Sequence, residues 1–259
     1  MLNVPLLDST ILATINKKLT ETFGGEFSEV IIGGAALNPE AEEFFKKIGF
    51  RFTVGYGMTE CAPLISHSFW HEFKLHSVGK VLPTMEAKIL SNDPQNEVGE
   101  ILVRGENVML GYYKNEEATR LAIDEDGWLH TGDMGTMDYD GTIYIKGRNK
   151  NMLLGPSGQN IYPEEIENKL NNMPFVMESL VLQNAENKLV ALVVPDYDAM
   201  DEAKLTTKDL EMVMEENRKA LNATTAAYES ITKVQIYPSE FEKTPKKSIK
   251  RFLYVNQLK

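Results

Sequence analysis

The sequence predicts a chain of mixed α/β and α+β class, with one change of grammar near residue 78 and another near residue 148. Three observations predict it. Up to about residue 77, strand, glycine turn, helix, strand and glycine turn follow one another, the pattern of a parallel sheet. From 78 to 147, short strands are separated by turn residues, which reads as a small antiparallel unit. Beyond Arg148, helices and buried strands mix in a separate small α+β domain. We therefore expect two domains, 1–147 (with parts 1–77 and 78–147) and 148–259.

The elements follow in order. Ile11, Ile15 and Leu19 recur at helical spacing over 10–23, and Gly24-Gly25 ends that helix. Residues 29–32 form a short apolar strand running into Gly33-Gly34-Ala35-Ala36. Asn38 caps a second helix, with Pro39 at its first position and Glu40 and Glu42 in its first turn. Residues 50–54 form a second strand, followed by Gly55-Tyr56-Gly57-Met58-Thr59-Glu60. Ligands in parallel sheets gather at the carboxyl ends of strands, where both glycine loops sit.

Strands are expected at 87–90, 101–104 and 142–146, and a short helix at 116–123. Thr131-Gly132-Asp133 is expected as a loop, and Asp138-Tyr139-Asp140-Gly141 as a hairpin turn. Residues 155–160, GPSGQN, are expected to be irregular. Pro163 with Glu164 and Glu165 opens a helix over 164–170. Strands at 179–183, 189–194 and 231–237 and a helix capped by Thr206 or Thr207 complete the chain.

Composition excludes several classes. The 259 residues are 42% hydrophobic and 25% charged, which suits a globular protein with a sizeable core. A net charge of −11 argues against a general nucleic-acid surface. The single cysteine, Cys61, permits no internal disulfide and reads as a small buried residue. The four histidines have no zinc spacing. No apolar run is long enough to span a bilayer, and the first ten residues lack the basic region and cleavage site of a signal peptide. A cytoplasmic location is the expectation.

The densest chemistry lies between Trp128 and Glu167. A carboxylate at Asp133 can accept two hydrogen bonds from a cis-diol, and Arg148 offers a planar fork of donors. On composition alone this stretch also fits a polar linker with an incidental Asp and Arg. Its order and spacing decide the matter. TGD, then GRNK, then GPSGQNIYPEEIE resembles the adenylate-forming enzymes, and among them the long-chain fatty acyl-CoA synthetases. GGAAL, with Ala36 in place of the usual proline, and YGMTE resemble two further family segments. The resemblance covers essentially the whole chain, as the C-terminal part of such an enzyme.

What the resemblance implies is specific. Gly34, Ala35 and Ala36 line one face of an adenine, Tyr56 stacks on it and Gly57 lies beside it. Thr59 contacts the α-phosphate, and Glu60 holds Mg²⁺. Asp133 and Arg148 bind the ribose of ATP or AMP, and Lys150 is the hinge between a large and a small mobile domain. Gly158 lies in a loop brought beside the pantetheine of coenzyme A. The segment GEILVRG belongs to a distorted, barrel-like β-unit and takes a structural role.

The tail FEKTPKKSIKRF resembles the family segment KTxxGKIxR, whose lysine bridges the carboxylate substrate and the α-phosphate. Aligning Thr244, Ile249 and Arg251 puts Ser248 at the lysine and Lys247 at the glycine. Lys247 is then the candidate, with Lys246 and Lys250 behind it. No Ser/Thr/Gly-rich phosphate loop occurs in the chain. The expectation is therefore a piece of a fatty acid–CoA ligase that is inactive alone, with ATP, a fatty acid and coenzyme A as the partners of the whole enzyme. Two alternatives remain: a non-catalytic nucleotide-binding or scaffold protein, and an adenylating enzyme that serves a carrier protein.

Overall fold

A computed structural model describes residues 9–245 and 248–258. The chain forms two compact units, Met1–Ile145 and Lys146–Lys259. It is a mixed α/β protein with several sheets.

The first unit opens with α1 (Ser9–Thr22), β1 (Val30–Ile32), α2 (Pro39–Ile48) and β2 (Phe52–Val54). Strands β1 and β2 pair in parallel, Val30 with Phe52 and Ile32 with Val54. The expected cap of α2 is present: the Asn38 side chain accepts from the backbone N–H groups of Glu40 and Ala41 at 2.9 and 3.2 Å. At its other end Gly49 takes the left-handed conformation, and its N–H bonds back to the last turn. An apolar cluster including Ile48, Phe50, Phe52, Val54 and Phe73 underlies these elements.

Strands β3 (Tyr56–Gly57), β4 (Leu64–His67) and β5 (Lys80–Val81) then form an antiparallel sheet that the sequence did not signal. Two of the three are only two residues long, too short for periodicity to register. A larger antiparallel sheet follows, in the order β6 (Met85–Leu90), β7 (Gly99–Gly105), β8 (Leu129–Met137) and β9 (Ile143–Arg148). Helix α3 (Glu116–Ala122) lies between β7 and β8 in sequence. The sheets stay open among the described residues, so the expected barrel-like unit is antiparallel but not closed. Its core includes Cys61, Ile65, Ile101, Leu129 and Ile143. The turn at Asp138–Gly141 is as expected, with the Gly141 N–H on the Asp138 carbonyl at 3.0 Å.

The second unit begins as β9 ends. Strands β10 (Leu153–Leu154) and β11 (Asn160–Ile161) form a hairpin, so residues 155–159 are its turn and Asn160 is already strand. Helix α4 (Pro163–Leu170) packs against a sheet of β12 (Val176–Gln183), β13 (Leu189–Pro195) and β14 (Ile231–Ile236). Strand β13 is buried along its whole length, as a central strand should be. It pairs antiparallel with β12 and parallel with β14. Helix α5 (Tyr197–Glu202) was not anticipated, and α6 (Thr207–Asn222) was. Thr206 and Asp209 form a capping box at the start of α6.

Candidate functional site

In the first unit the carboxyl ends of β1 and β2 bring both glycine loops together. A Cβ on Gly33 would lie 3.3 Å from the Gly55 carbonyl oxygen. Gly34, at φ +88°, leaves open space where a side chain would be, and Gly33 to Ala36 are exposed. A flat ligand can therefore approach this backbone closely. Gly57 is required for a different reason. A Cβ there would fall 2.1 Å from the Pro63 carbonyl oxygen, because the chain doubles back on itself between β3 and β4.

Tyr56 occupies the base of this turn. Its ring is 7% exposed and packs in the core, which leaves little of its face for the adenine expected to stack there. Its hydroxyl donates to Asp133 Oδ2 at 2.7 Å, across 77 residues of sequence. Burial, and then the adjacent Asp133 carboxylate, push the phenol far above its usual pKa, so it stays a proton donor.

Asp133 itself does not sit in a loop, as its neighbours suggested. It lies on β8 in a bulge. Glu100 of β7 pairs with Met134 and Leu102 pairs with His130, so Ile101 alone opposes Thr131, Gly132 and Asp133. Gly132 takes φ +71° to make this possible. A bulge and a loop look alike in sequence, because a glycine interrupts alternation in both.

Thr59 and Glu60 form a single 3₁₀ turn, with Thr59 exposed and Glu60 half-buried. The turn is held from β7's far end: Asn107 Nδ2 donates to the carbonyls of Cys61 and Leu64 at 2.7 and 2.9 Å. The Met109 N–H donates to the Glu60 carbonyl at 2.7 Å. Tyr112 Oη donates to Glu60 Oε1 at 3.0 Å. No cluster of three His, Cys, Asp or Glu side chains able to hold a metal occurs among the described residues. A lone half-buried carboxylate nevertheless fits Mg²⁺ that arrives on nucleotide phosphates, since that ion takes one or two carboxylates and keeps its waters. Cys61 is fully buried, and burial pushes its thiol up to about 11, which leaves it inert.

Arg148, Lys150 and Gly158 belong to the second unit. Arg148 is exposed at the end of β9, and Lys150 is exposed in a 3₁₀ turn over Asn149–Asn151. Gly158, at φ +81°, sits in the open turn between β10 and β11. Lys246 and Lys247 lie outside the described residues; residues 242–244 and 248–250 form a short antiparallel stem. Lys243 pairs with Ile249, the Thr244 N–H donates to the Ser248 carbonyl at 2.8 Å, and the Lys250 N–H donates to the Glu242 carbonyl at 2.9 Å. Lys250 Nζ is engaged by Glu242, and Ser248 belongs to the stem.

Two anchors fix the base of that stem. Glu178 accepts the Phe241 N–H at 2.9 Å and pairs with Lys243 at 2.6 Å. On the other side Arg251 meets the buried Glu167, across 84 residues of sequence. Arg251 also donates to the Val181 carbonyl at 3.2 Å, and Glu167 accepts the Val181 N–H at 2.6 Å. Burial pushes Glu167 up to about 7, although the Arg251 charge pulls against it. The Tyr112 and Glu167 partnerships were not foreseen. They depend on which strands and helices meet, and local pattern carries no such signal.

Known proteins are similar to this chain in sequence and fold. The family model described as AMP-binding enzyme matches residues 3–113, and that of the AMP-binding enzyme C-terminal domain matches residues 151–259. The long-chain-fatty-acid–CoA ligase FadD15 of Mycobacterium bovis is 31% identical over 256 residues, covering 92% of this chain and 42% of that protein. The long-chain-fatty-acid–CoA ligase ACSBG1 of Rattus norvegicus is 33% identical over 162 residues, 62% of this chain and 22% of that one. Among solved structures, o-succinylbenzoate CoA synthetase of Bacillus subtilis, in complex with the acyl-adenylate intermediate OSB-AMP, superposes with a TM-score of 0.74 at 26% identity. That match covers 94% of this chain and 49% of that one. The chain thus spans less than half the length of the curated relatives it matches.

Proposed function

Because this chain belongs to the AMP-binding, adenylate-forming enzymes, we propose that it is the nucleotide-binding and hinge portion of a ligase joining a long-chain fatty acid to coenzyme A. Residues 1–147 are then the C-terminal portion of the large adenylate-binding domain, and 148–259 its small mobile domain. The observation that carries the proposal is the Tyr56–Asp133 hydrogen bond of 2.7 Å. It supports the reading because Asp133, a carboxylate able to take a ribose diol, meets Tyr56 of the YGMTE segment across 77 residues of sequence. The fatty-acid assignment is supported by the names of the relatives and by the look of GPSGQNIYPEEIE.

The chemistry runs in two steps. The fatty carboxylate oxygen attacks the α-phosphorus of ATP, the bond to the β-phosphate oxygen breaks, and pyrophosphate leaves with the electron pair. The thiol of coenzyme A, losing its proton, then attacks the acyl carbon and AMP leaves. In the first step Thr59 donates to the α-phosphate, Glu60 would hold the Mg²⁺ that neutralises the nucleotide phosphates, and Lys247 of the basic tail neutralises developing charge. Gly34 to Ala36 and Gly57 frame the adenine, Tyr56 backs the site from the core through its hydroxyl on Asp133, and Asp133 and Arg148 take the ribose. Rotation about Lys150 exchanges the tail for the Gly158 turn before thioester formation, a gating step.

Calorimetric titration of the purified chain with AMP tests the reading. Saturable binding that disappears in Asp133→Ala is expected. Absence of binding at millimolar AMP refutes the nucleotide role. The same chain, which has no phosphate loop, is expected to make no acyl-CoA from ATP, fatty acid and coenzyme A. Turnover above background refutes that. A native protein much heavier than 29.2 kDa on an immunoblot of the source cells is the expected companion result.

A further inference from the structure

We propose that Glu100 is a positioning residue for ribose recognition, acting through Asp133. The inference rests on the nucleotide role given above and adds to it the device that aims the carboxylate. A bulge strips backbone groups of their ladder partners, and each must bond elsewhere or pay desolvation. Here the Gly132 N–H is taken by Glu100 Oε1 at 3.0 Å. The Asp133 N–H donates to Thr131 Oγ1 at 3.1 Å, and that hydroxyl donates onward to the Ile101 carbonyl at 2.7 Å. The second oxygen of Glu100 lies 2.9 Å from His130 Nδ1, so one carboxylate ties together the residues on either side of Thr131.

The placement is not that of a solvated surface acid. The Glu100 side chain is 15% exposed and lies on the strand facing the bulge. An ionised acceptor holds a backbone N–H about twice as strongly as a neutral one. Glu100 thus keeps Gly132 at its positive φ, and that conformation aims the next side chain, Asp133, at the Tyr56 hydroxyl. A diol bound through two hydrogen bonds needs its carboxylate held within roughly half an ångström and 10–20°. Tyr56 fixes the carboxylate from the side-chain end, and Glu100 fixes it from the backbone end.

The test compares AMP with 2′,3′-dideoxy-AMP, which lacks the diol, on the full chain and on Glu100→Ala and Glu100→Gln. The unaltered chain is expected to prefer AMP by about tenfold or more, the worth of hydrogen bonds to a charged group. In Glu100→Ala that ratio falls towards one, through weaker AMP binding with dideoxy-AMP unchanged. Glu100→Gln, which still offers an oxygen to Gly132, restores most of it. Equal weakening of both ligands, or an unaltered ratio in Glu100→Ala, overturns the inference.

Hydrogen exchange at the Gly132 amide supplies a readout independent of nucleotide. It is expected to accelerate in Glu100→Ala and not in Glu100→Gln, while Val103 stays protected. No acceleration overturns the positioning role. If exchange behaves as expected but the unaltered chain shows no preference for AMP, the ribose assignment of Asp133 is what has failed, and the inference falls with it.

Discussion

Replacing Arg251 with Met should unfold the second unit more easily, and by an amount that depends on pH. Methionine keeps the apolar stem and removes the guanidinium that faces Glu167 and the Val181 carbonyl. Glu167 is 7% exposed, and burial already holds its carboxyl near 7, above an ordinary value of 4.5. Without the arginine charge it rises further. A carboxyl raised on folding binds its proton more tightly when folded, so stability falls as pH climbs from the unfolded value through the folded one.

Below about pH 6 Glu167 is protonated in both folded proteins. The variant then loses only hydrogen bonds, about 1–2 kcal/mol. Above pH 7 the native carboxylate ionises against Arg251 while the variant's remains protonated. The gap should widen by up to about 1.4 kcal/mol per pH unit. At pH 8.5 the total reaches roughly 3 kcal/mol, the lower end for a broken buried ion pair. Both tryptophans, Trp70 and Trp128, lie in the first unit, so fluorescence does not report on this event. Urea unfolding followed by hydrogen exchange in peptides from α4 and β12 does. An equal loss at pH 5.5 and 8.5 refutes the reasoning, as does full additivity when Glu167→Gln is combined with Arg251→Met.

Further outcomes are expected. Tyr56→Phe keeps the buried ring but removes the donor to Asp133, and should weaken AMP binding about tenfold by calorimetry; unchanged affinity would count against a shared site. Gly57→Ala drives a methyl against the Pro63 carbonyl and should destabilise the first unit by about 2–3 kcal/mol, read as a drop of several degrees in a tryptophan-monitored melt. In the whole enzyme, Lys247→Ala should suppress adenylate formation, measured by pyrophosphate exchange, at least about a hundredfold. Lys250→Ala should not, because Lys250 is engaged by Glu242. Lys150→Pro, again in the whole enzyme, should slow thioester formation more than adenylation, and equal losses in both half-reactions would remove Lys150 as the hinge.

Local chemistry made much of the chain legible. Asn38-Pro39 and Thr206-Thr207 mark helix starts because caps act within a few residues. Gly141 and Gly158 mark turns because only glycine takes their positive φ without strain. Strands β12 and β13 are long and apolar enough to be read directly. The two-residue strands β3, β5, β10 and β11 are not, since two residues cannot show a period.

The sequence by itself determined the order of the elements, the glycine loops at the ends of β1 and β2, and the family through motifs whose spacing survives in one dimension. Only the tertiary structure decided that Tyr56 reaches Asp133, that Thr131–Asp133 is a bulge and not a loop, and that Glu167 meets Arg251. The reason is physical. Periodicity, caps and turns reflect energies between residues a few places apart. Strand register and buried ion pairs are set by packing and desolvation between segments dozens of residues apart, and those terms exist only once the chain has folded.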